Sequence, residues 1–124
     1  MKWNRKGYAI LFDCENGEIR TSGRVFSITR GTYAYVGSCG VNCGKRVGRH
    51  LSDSLAKRRW HVDYLKDLCK PLGALVLPLT EEDIANILTD PVKGFGSSDC
   101  RKHEGHLFRV EIKTLLSRLA QSQV

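Results

Sequence analysis

The sequence predicts an α/β domain in which a small mixed or antiparallel sheet is flanked by about three helices. Three observations carry that prediction. Short apolar runs bounded by glycine or Asn-Gly fill the first third of the chain, a pattern of strands and turns. Helical apolar spacing appears later, at Val47, Leu51 and Leu55, at Ile84, Ile87 and Leu88, and at Ile112, Leu115, Leu116 and Leu119. Between the first two helical stretches, Gly73-Ala74-Leu75-Val76-Leu77-Pro78-Leu79 reads as a buried strand ended by proline. At 124 residues the chain is one domain, spanning 1–124, with room for one core but not two.

The elements follow in order. Tyr8-Ala9-Ile10-Leu11-Phe12 is a strand that stops at Asp13-Cys14-Glu15-Asn16-Gly17. Asn-Gly predicts a tight turn, hence a hairpin into Ile19-Arg20-Thr21. Gly23 breaks the chain again, and Val25-Phe26-Ser27-Ile28 forms the next strand. Arg30-Gly31 turns into Tyr33-Ala34-Tyr35-Val36, where period two sends Tyr33 and Tyr35 to the same side. A helix is expected over 43–56. On it Val47, Leu51 and Leu55 make the apolar stripe. Arg46, Arg49 and His50 share another face, expected to point away from the core. Thr80 is the expected N-cap of a helix over 81–89, with Asp83 in the capping-box position, and Asp90-Pro91 ends it. Gly94-Phe95-Gly96-Ser97-Ser98-Asp99-Cys100 is a loop, His106-Leu107-Phe108-Arg109-Val110 a last strand, and 111–121 an amphipathic helix. There are no internal repeats or linkers.

A formal net charge of +7 favours polyanionic partners, nucleic acid before an anionic membrane surface. No apolar run is long enough to span a bilayer, and the first residues lead into no signal-like segment, so a cytoplasmic protein without membrane partners is expected. Five cysteines, an odd number, do not look like a secreted disulfide framework, and Cys14, Cys69 and Cys100 stand apart from one another. The spacing of Cys39 and Cys43 allows zinc, with Cys100 and His103 as further ligands; small buried thiols are the commoner use of cysteine.

Phosphodiester cleavage needs a group to orient or deprotonate water, a cation for the developing charge, and a ligand for a divalent metal. Tyrosine, arginine and glutamate supply that set. Glu81 opens a helix on the flank of its buried side, where a metal or cationic partner would account for a carboxylate. Acidic residues in a first helical turn also complement the helix dipole, which covers Glu82 and Asp83. Lys57-Arg58-Arg59 is a basic knot that reads as a solvated turn or as phosphate contacts.

The order of these residues resembles the GIY-YIG nuclease superfamily. The features are Tyr35-Val36-Gly37, Arg46 with His50 four residues on, and Glu81 opening a helix after a buried strand, with Gly7-Tyr8 as the first motif. Together with Trp60-His61-Val62-Asp63-Tyr64-Leu65, the 94–100 loop and His106-Leu107-Phe108, they resemble one little-characterised archaeal and bacterial branch. That branch is found alone or attached to endonuclease III-type DNA glycosylases. The resemblance implies a small sheet flanked by helices, with a hairpin inserted between Tyr8 and Tyr35. It implies metal-dependent cleavage of DNA, or RNA, phosphodiesters. Glu81 would hold Mg²⁺ or Mn²⁺, Arg46 would steady negative charge, and Tyr8 or Tyr35 would handle the water, with His50 and Arg46 lowering the tyrosine pKa. Arg49, Lys57, Arg58 and Arg59 would grip flanking phosphates. His61, Asp63, Asp99 and His106 are features of the branch that bring no established role; with Ser98 they are expected as nucleic-acid contacts, and His61 and Asp63 equally as structural hydrogen-bond partners. A DNA-repair protein is the implied protein partner. Here Gly7 directly precedes Tyr8, where the first motif has one residue between, and Glu82 stands where the branch usually has cysteine, so Glu82 is an alternative to Glu81. The rival expectations are a nucleic-acid-binding module without turnover and a zinc-held structural domain. Oligomeric state is left open by the sequence.

Overall fold

The computed structural model describes residues 6–21, 23–39, 43–51, 61–92 and 107–122. Its central strand is β1 (Gly7–Cys14), where Tyr8, Ala9, Ile10, Phe12 and Cys14 are all buried. A run buried on both faces carries no polar alternation, which is why Tyr8–Phe12 reads as continuously apolar. β1 pairs antiparallel with β4 (Gly31–Ser38) on one side and β5 (Cys69–Leu77) on the other. β6 (Leu107–Val110) adds outside β4, giving the order β5-β1-β4-β6, antiparallel throughout. The sheet expected as mixed or antiparallel is therefore antiparallel.

The hairpin inserted before β4 consists of β2 (Gly17–Thr21) and β3 (Arg24–Ile28), which pair only with each other. This corrects the turn assigned to Asn16-Gly17. β1 and β2 are not hairpin partners, because both edges of β1 are taken by β4 and β5. Asn16 serves elsewhere: its side-chain oxygen accepts the Arg30 amide at 2.6 Å, tying the chain leaving β1 to the chain entering β4. The β2–β3 reversal instead uses Gly23, whose φ of 86° suits glycine.

The two sheet faces differ in side-chain size. On one face Tyr8, Ile10, Phe12, Cys14, Tyr33 and Tyr35 form a core with Ile19, Phe26 and Ile28 of the hairpin and Leu65. α1 (Cys43–Leu51) packs there through the half-buried Cys43, Val47 and Leu51. On the opposite face Ala9, Ala34 and Val36 meet α2 (Glu81–Ile87) and α3 (Ile112–Ser122) through Ile84, Ala85, Leu88, Leu115 and Leu119. On this face the small residues at the middle of β1 and β4 are flanked by Phe108, Leu11, Leu75 and Leu77 and lie under two helices; the other face lies under one helix and a ribbon.

β5 begins earlier than expected and runs through Pro71. Proline is accommodated because β5 is an edge strand among the described residues. The register slips beside Phe12, leaving Leu72 outside the ladder and exposed. The capping box on α2 is present: Thr80 Oγ1 accepts the Asp83 amide at 3.1 Å, and Asp83 Oδ2 accepts the Thr80 amide at 3.2 Å. α2 ends at Ile87, where the Arg118 guanidinium of α3 donates to the Ile87 carbonyl at 3.2 Å. On α3 only Leu115 and Leu119 are buried. Ile112 and Leu116, expected on the same stripe, are exposed.

Two cysteine pairs are bonded. Cys14 joins Cys69 across the β1–β5 pair, 55 residues away, and Cys39 joins Cys43. This corrects the reading of Cys14 and Cys69 as separate thiols. Strand register alone brings them opposite, with Cα atoms 4.1 Å apart. No helix among the described residues is long and apolar enough to cross a membrane.

Candidate functional site

β1 and β4 run antiparallel with Tyr8 opposite Gly37 and Ile10 opposite Tyr35. Tyr8 and Tyr35 therefore emerge on the same face, at the end of the sheet where β4 gives way to α1. His50, in the last turn of α1, comes down between them. Its Nε2 lies 3.0 Å from the Tyr8 hydroxyl, a contact between residues 42 apart in the chain. The Tyr35 ring meets the imidazole edge-on, with centroids 5.6 Å apart and planes at 67°. All three residues are buried. Lys66, from the 3₁₀ helix His61–Asp67, donates to the His50 carbonyl at 2.7 Å and places a cation at the carbonyl end of α1. Sequence reasoning missed Lys66, and nothing in its local pattern marks it.

The expectation that His50 points away from the core is overturned. Val47, His50 and Leu51 are separated by three and four positions, so they occupy neighbouring angles on one helix. The same side that buries the aliphatics delivers the imidazole to the tyrosines. Arg49 is half-buried. Arg46 lies on α1 one turn before His50, and its side chain lies outside the described residues.

Two glycines shape this end of the sheet. A Cβ at Gly37 would run into the Tyr8 phenol, so the hydroxyl end of the ring takes the space a side chain would fill there. At Gly7 a Cβ would meet Leu79 O and Ile84 Cδ1 at 2.7 Å and the Glu81 amide at 3.1 Å. The start of α2 thus rests directly on the first residue of β1. Isolated glycines inside strand patterns signal such close approaches.

Glu81 is half-buried in the first turn of α2. It shares the Gly7–Tyr8 end of the sheet with the aromatic group, but α2 belongs to the opposite face, while Tyr8 projects toward α1. Glu81 and the Tyr8–Tyr35–His50 group approach the strand ends from two sides. Glu82 and Asp83 are exposed, and Asp83 is engaged in the cap. Tyr33, on the same face as Tyr35, does not join the group. Its hydroxyl donates to the Thr29 carbonyl at 2.7 Å and accepts the Thr29 amide at 3.2 Å, which makes it a structural tie to the β3–β4 turn.

His61 and Asp63 lie on the 3₁₀ helix, their side chains outside the described residues. Lys57, Arg58, Arg59, Ser98, Asp99, His103 and His106 also lie outside them. So does Cys100, the third cysteine of the expected zinc set, and Cys39 and Cys43 are bonded to each other. Among the described residues no group of three or more His, Cys, Asp or Glu could hold a metal ion. A shallow depression of about 810 Å³, bordered by Gly31, Thr32, Asp90, Arg109 and Lys113, lies at the other end of the sheet from the tyrosines.

Comparison with protein families places residues 7–123 in one family, described as a domain of unknown function, DUF123. The match covers nearly all of the sequence, and the chain belongs to that family. Comparison with curated proteins and with solved structures returned no match.

Proposed function

We propose that this member of the DUF123 family is a metal-dependent endonuclease-like domain that cleaves DNA, or RNA, phosphodiesters, as its resemblance to GIY-YIG nucleases implies. The observation that carries this reading is the hydrogen bond between the Tyr8 hydroxyl and His50 Nε2, with Tyr35 against the same ring. A phenol ordinarily ionises near pH ~10, so a tyrosine that handles water needs a base in contact with it. His50 is that base. With its second nitrogen protonated, Nε2 accepts the Tyr8 proton, and the phenolic oxygen is left to accept a proton from water. Arg46 steadies charge on the phosphoryl oxygens. Arg49 and the Lys57–Arg59 run hold neighbouring phosphates, which suits the net charge of +7.

This reading assigns a metal to Glu81 and the adjacent Glu82. One or two carboxylates fit Mg²⁺ or Mn²⁺, hard ions that complete their shells with water and substrate phosphate oxygens. Zinc, which prefers three or four protein ligands of its own, does not fit this set. When bound, the ion supplies Lewis-acid charge at the scissile phosphate.

A second reading, a nucleic-acid-binding module without turnover, has an observation in its favour. Tyr8, Tyr35 and His50 are buried, and Glu81 comes from the other sheet face. Cleavage assays with Mg²⁺ and Mn²⁺ on single-stranded, double-stranded and branched DNA and on RNA separate the two. The nuclease reading expects metal-dependent cleavage that is lost in Glu81→Ala, Arg46→Ala and Tyr8→Phe. Cleavage that survives Glu81→Ala overturns the site, and salt-sensitive binding without cleavage on any substrate favours the module.

A further inference from the structure

The bond between Cys39 and Cys43 sits where the sheet hands over to the helix that carries His50. Cys39 follows the last residue of β4, is fully buried, and is pinned by its amide, which donates to the Lys6 carbonyl at 3.1 Å. Cys43 is the first residue of α1 and is half-buried. The bond therefore staples the start of α1 to the end of β4, with Cα atoms 4.2 Å apart. Seven positions later the same helix places His50 against Tyr8.

We propose that Cys39–Cys43 is a reversible thiol–disulfide site, and that its redox state sets how firmly α1, and with it His50, is held over the two tyrosines. Three features separate this pair from Cys14–Cys69. Exchange needs an attacking thiolate to reach a sulfur. Cys43 is partly accessible, whereas Cys14 and Cys69 are both buried within the β1–β5 ladder. The Cys39–Cys43 loop spans 4 residues against 55, so its bond gains far less from loop closure. Finally, Cys43 stands at a helix N-terminus with no acidic residue in the first turn and with Lys45 and Arg46 two and three positions on, a setting that stabilises a thiolate.

The chemistry balances as ordinary exchange. A dithiol reductant attacks Cys43 Sγ, and Cys39 Sγ leaves as the thiolate and takes up a proton. The second thiol of the reductant then displaces Cys43 from the mixed disulfide. Two electrons and two protons pass to the protein, and the reductant becomes a disulfide. Glutathione disulfide drives the reverse. Once the bond opens, α1 keeps Val47, Leu51 and the His50–Tyr8 contact but loses its covalent tether. The proposal does not depend on the nuclease reading, because its readouts are chemical and structural.

The test uses the full chain, first oxidised with glutathione disulfide, then titrated with dithiothreitol, alkylated and mapped by mass spectrometry. Backbone hydrogen exchange is followed in parallel. Cys39 and Cys43 are expected to become alkylated together, at reductant levels at least tenfold below those that open Cys14–Cys69. Exchange over residues 43–51 should rise at least tenfold in step, with β1 and β4 unchanged, and glutathione disulfide should restore it. In Cys39→Ser/Cys43→Ser the helix should exchange at the fast rate and ignore reductant; the wild-type titration stands alone if that variant does not fold. Alkylation of Cys39 and Cys43 after oxidation without reductant overturns the proposal. So does resistance equal to that of Cys14–Cys69, or opening without any change in α1 exchange.

Discussion

At the scale of single residues, a missing side chain decides where the Tyr8 ring lies. Gly37 leaves the floor on which the phenol rests, and any Cβ there would occupy the ring's place. Gly37→Ala is therefore expected to lift Tyr8 from His50 and to cost about 1–3 kcal/mol, the usual range for overpacking. Urea unfolding reads the cost, and the imidazole signals of His50 read the displacement. Tyr8→Phe tests the hydrogen bond without the clash. It leaves a buried imidazole nitrogen short of its partner, at about 1–3 kcal/mol. If the nuclease reading holds, the same change slows single-turnover cleavage by about 10²–10⁴-fold, the range for a lost acid–base group. A variant that loses the stability but keeps the rate assigns Tyr8 to packing alone. Tyr33→Phe is the matched control. It releases the Thr29 contacts at the far end of the strand and should leave cleavage unchanged.

At the scale of elements, each helix is set by a different balance of local and distant terms. α2 is specified locally. Its capping box satisfies two backbone amides, and Thr80→Ala should cost about 1 kcal/mol in denaturant unfolding. Because the cap stands one residue before Glu81, that variant also asks whether the carboxylate depends on a firm helix start. A fall in cleavage beyond the stability loss says that it does. α1 is specified by what it covers. Its spacing predicts a helix from sequence, but which side faces the sheet follows from placing Val47, His50 and Leu51 together over the aromatic face. The i, i+3, i+4 spacing that groups His50 with Arg46 and Arg49 groups it equally with Val47 and Leu51, and only burial over the aromatic face decides between the two. The Asn16-Gly17 turn misled for a related reason. Asn-Gly favours a reversal, yet both hydrogen-bonding edges of β1 were already committed to strands arriving later in the chain.

For the whole molecule, long-range closure and net charge are the controlling quantities. The Cys14–Cys69 bond ties strands whose cysteines are 55 residues apart, and loop-closure entropy alone assigns it about 4 kcal/mol. Cys14→Ser/Cys69→Ser should lower stability by about that amount at equilibrium, read by urea unfolding. If the proposed nucleic-acid partner holds, log affinity falls linearly with log salt, with a slope that becomes shallower as Lys57, Arg58 and Arg59 are replaced by alanine. Binding by fluorescence anisotropy at several salt concentrations measures this, and a slope near zero would remove nucleic acid as the partner of this surface.

From its amino acids alone the chain specified what depends on near neighbours: short apolar strands between turn residues, the proline that ends β5, the capped start of α2, and the α/β class. Each follows from residues two to four positions apart, whose geometry is the same in any fold. Only the tertiary structure decided the rest. It set His50 on Tyr8 across 42 residues, joined Cys14 to Cys69, put β4 and β5 on the two edges of β1, and put Glu81 on the opposite sheet face from the tyrosines. Those outcomes depend on which strands compete for the edges of β1 and which side chains fill each face. That competition is settled by burying the whole core at once, and no short stretch of sequence records it.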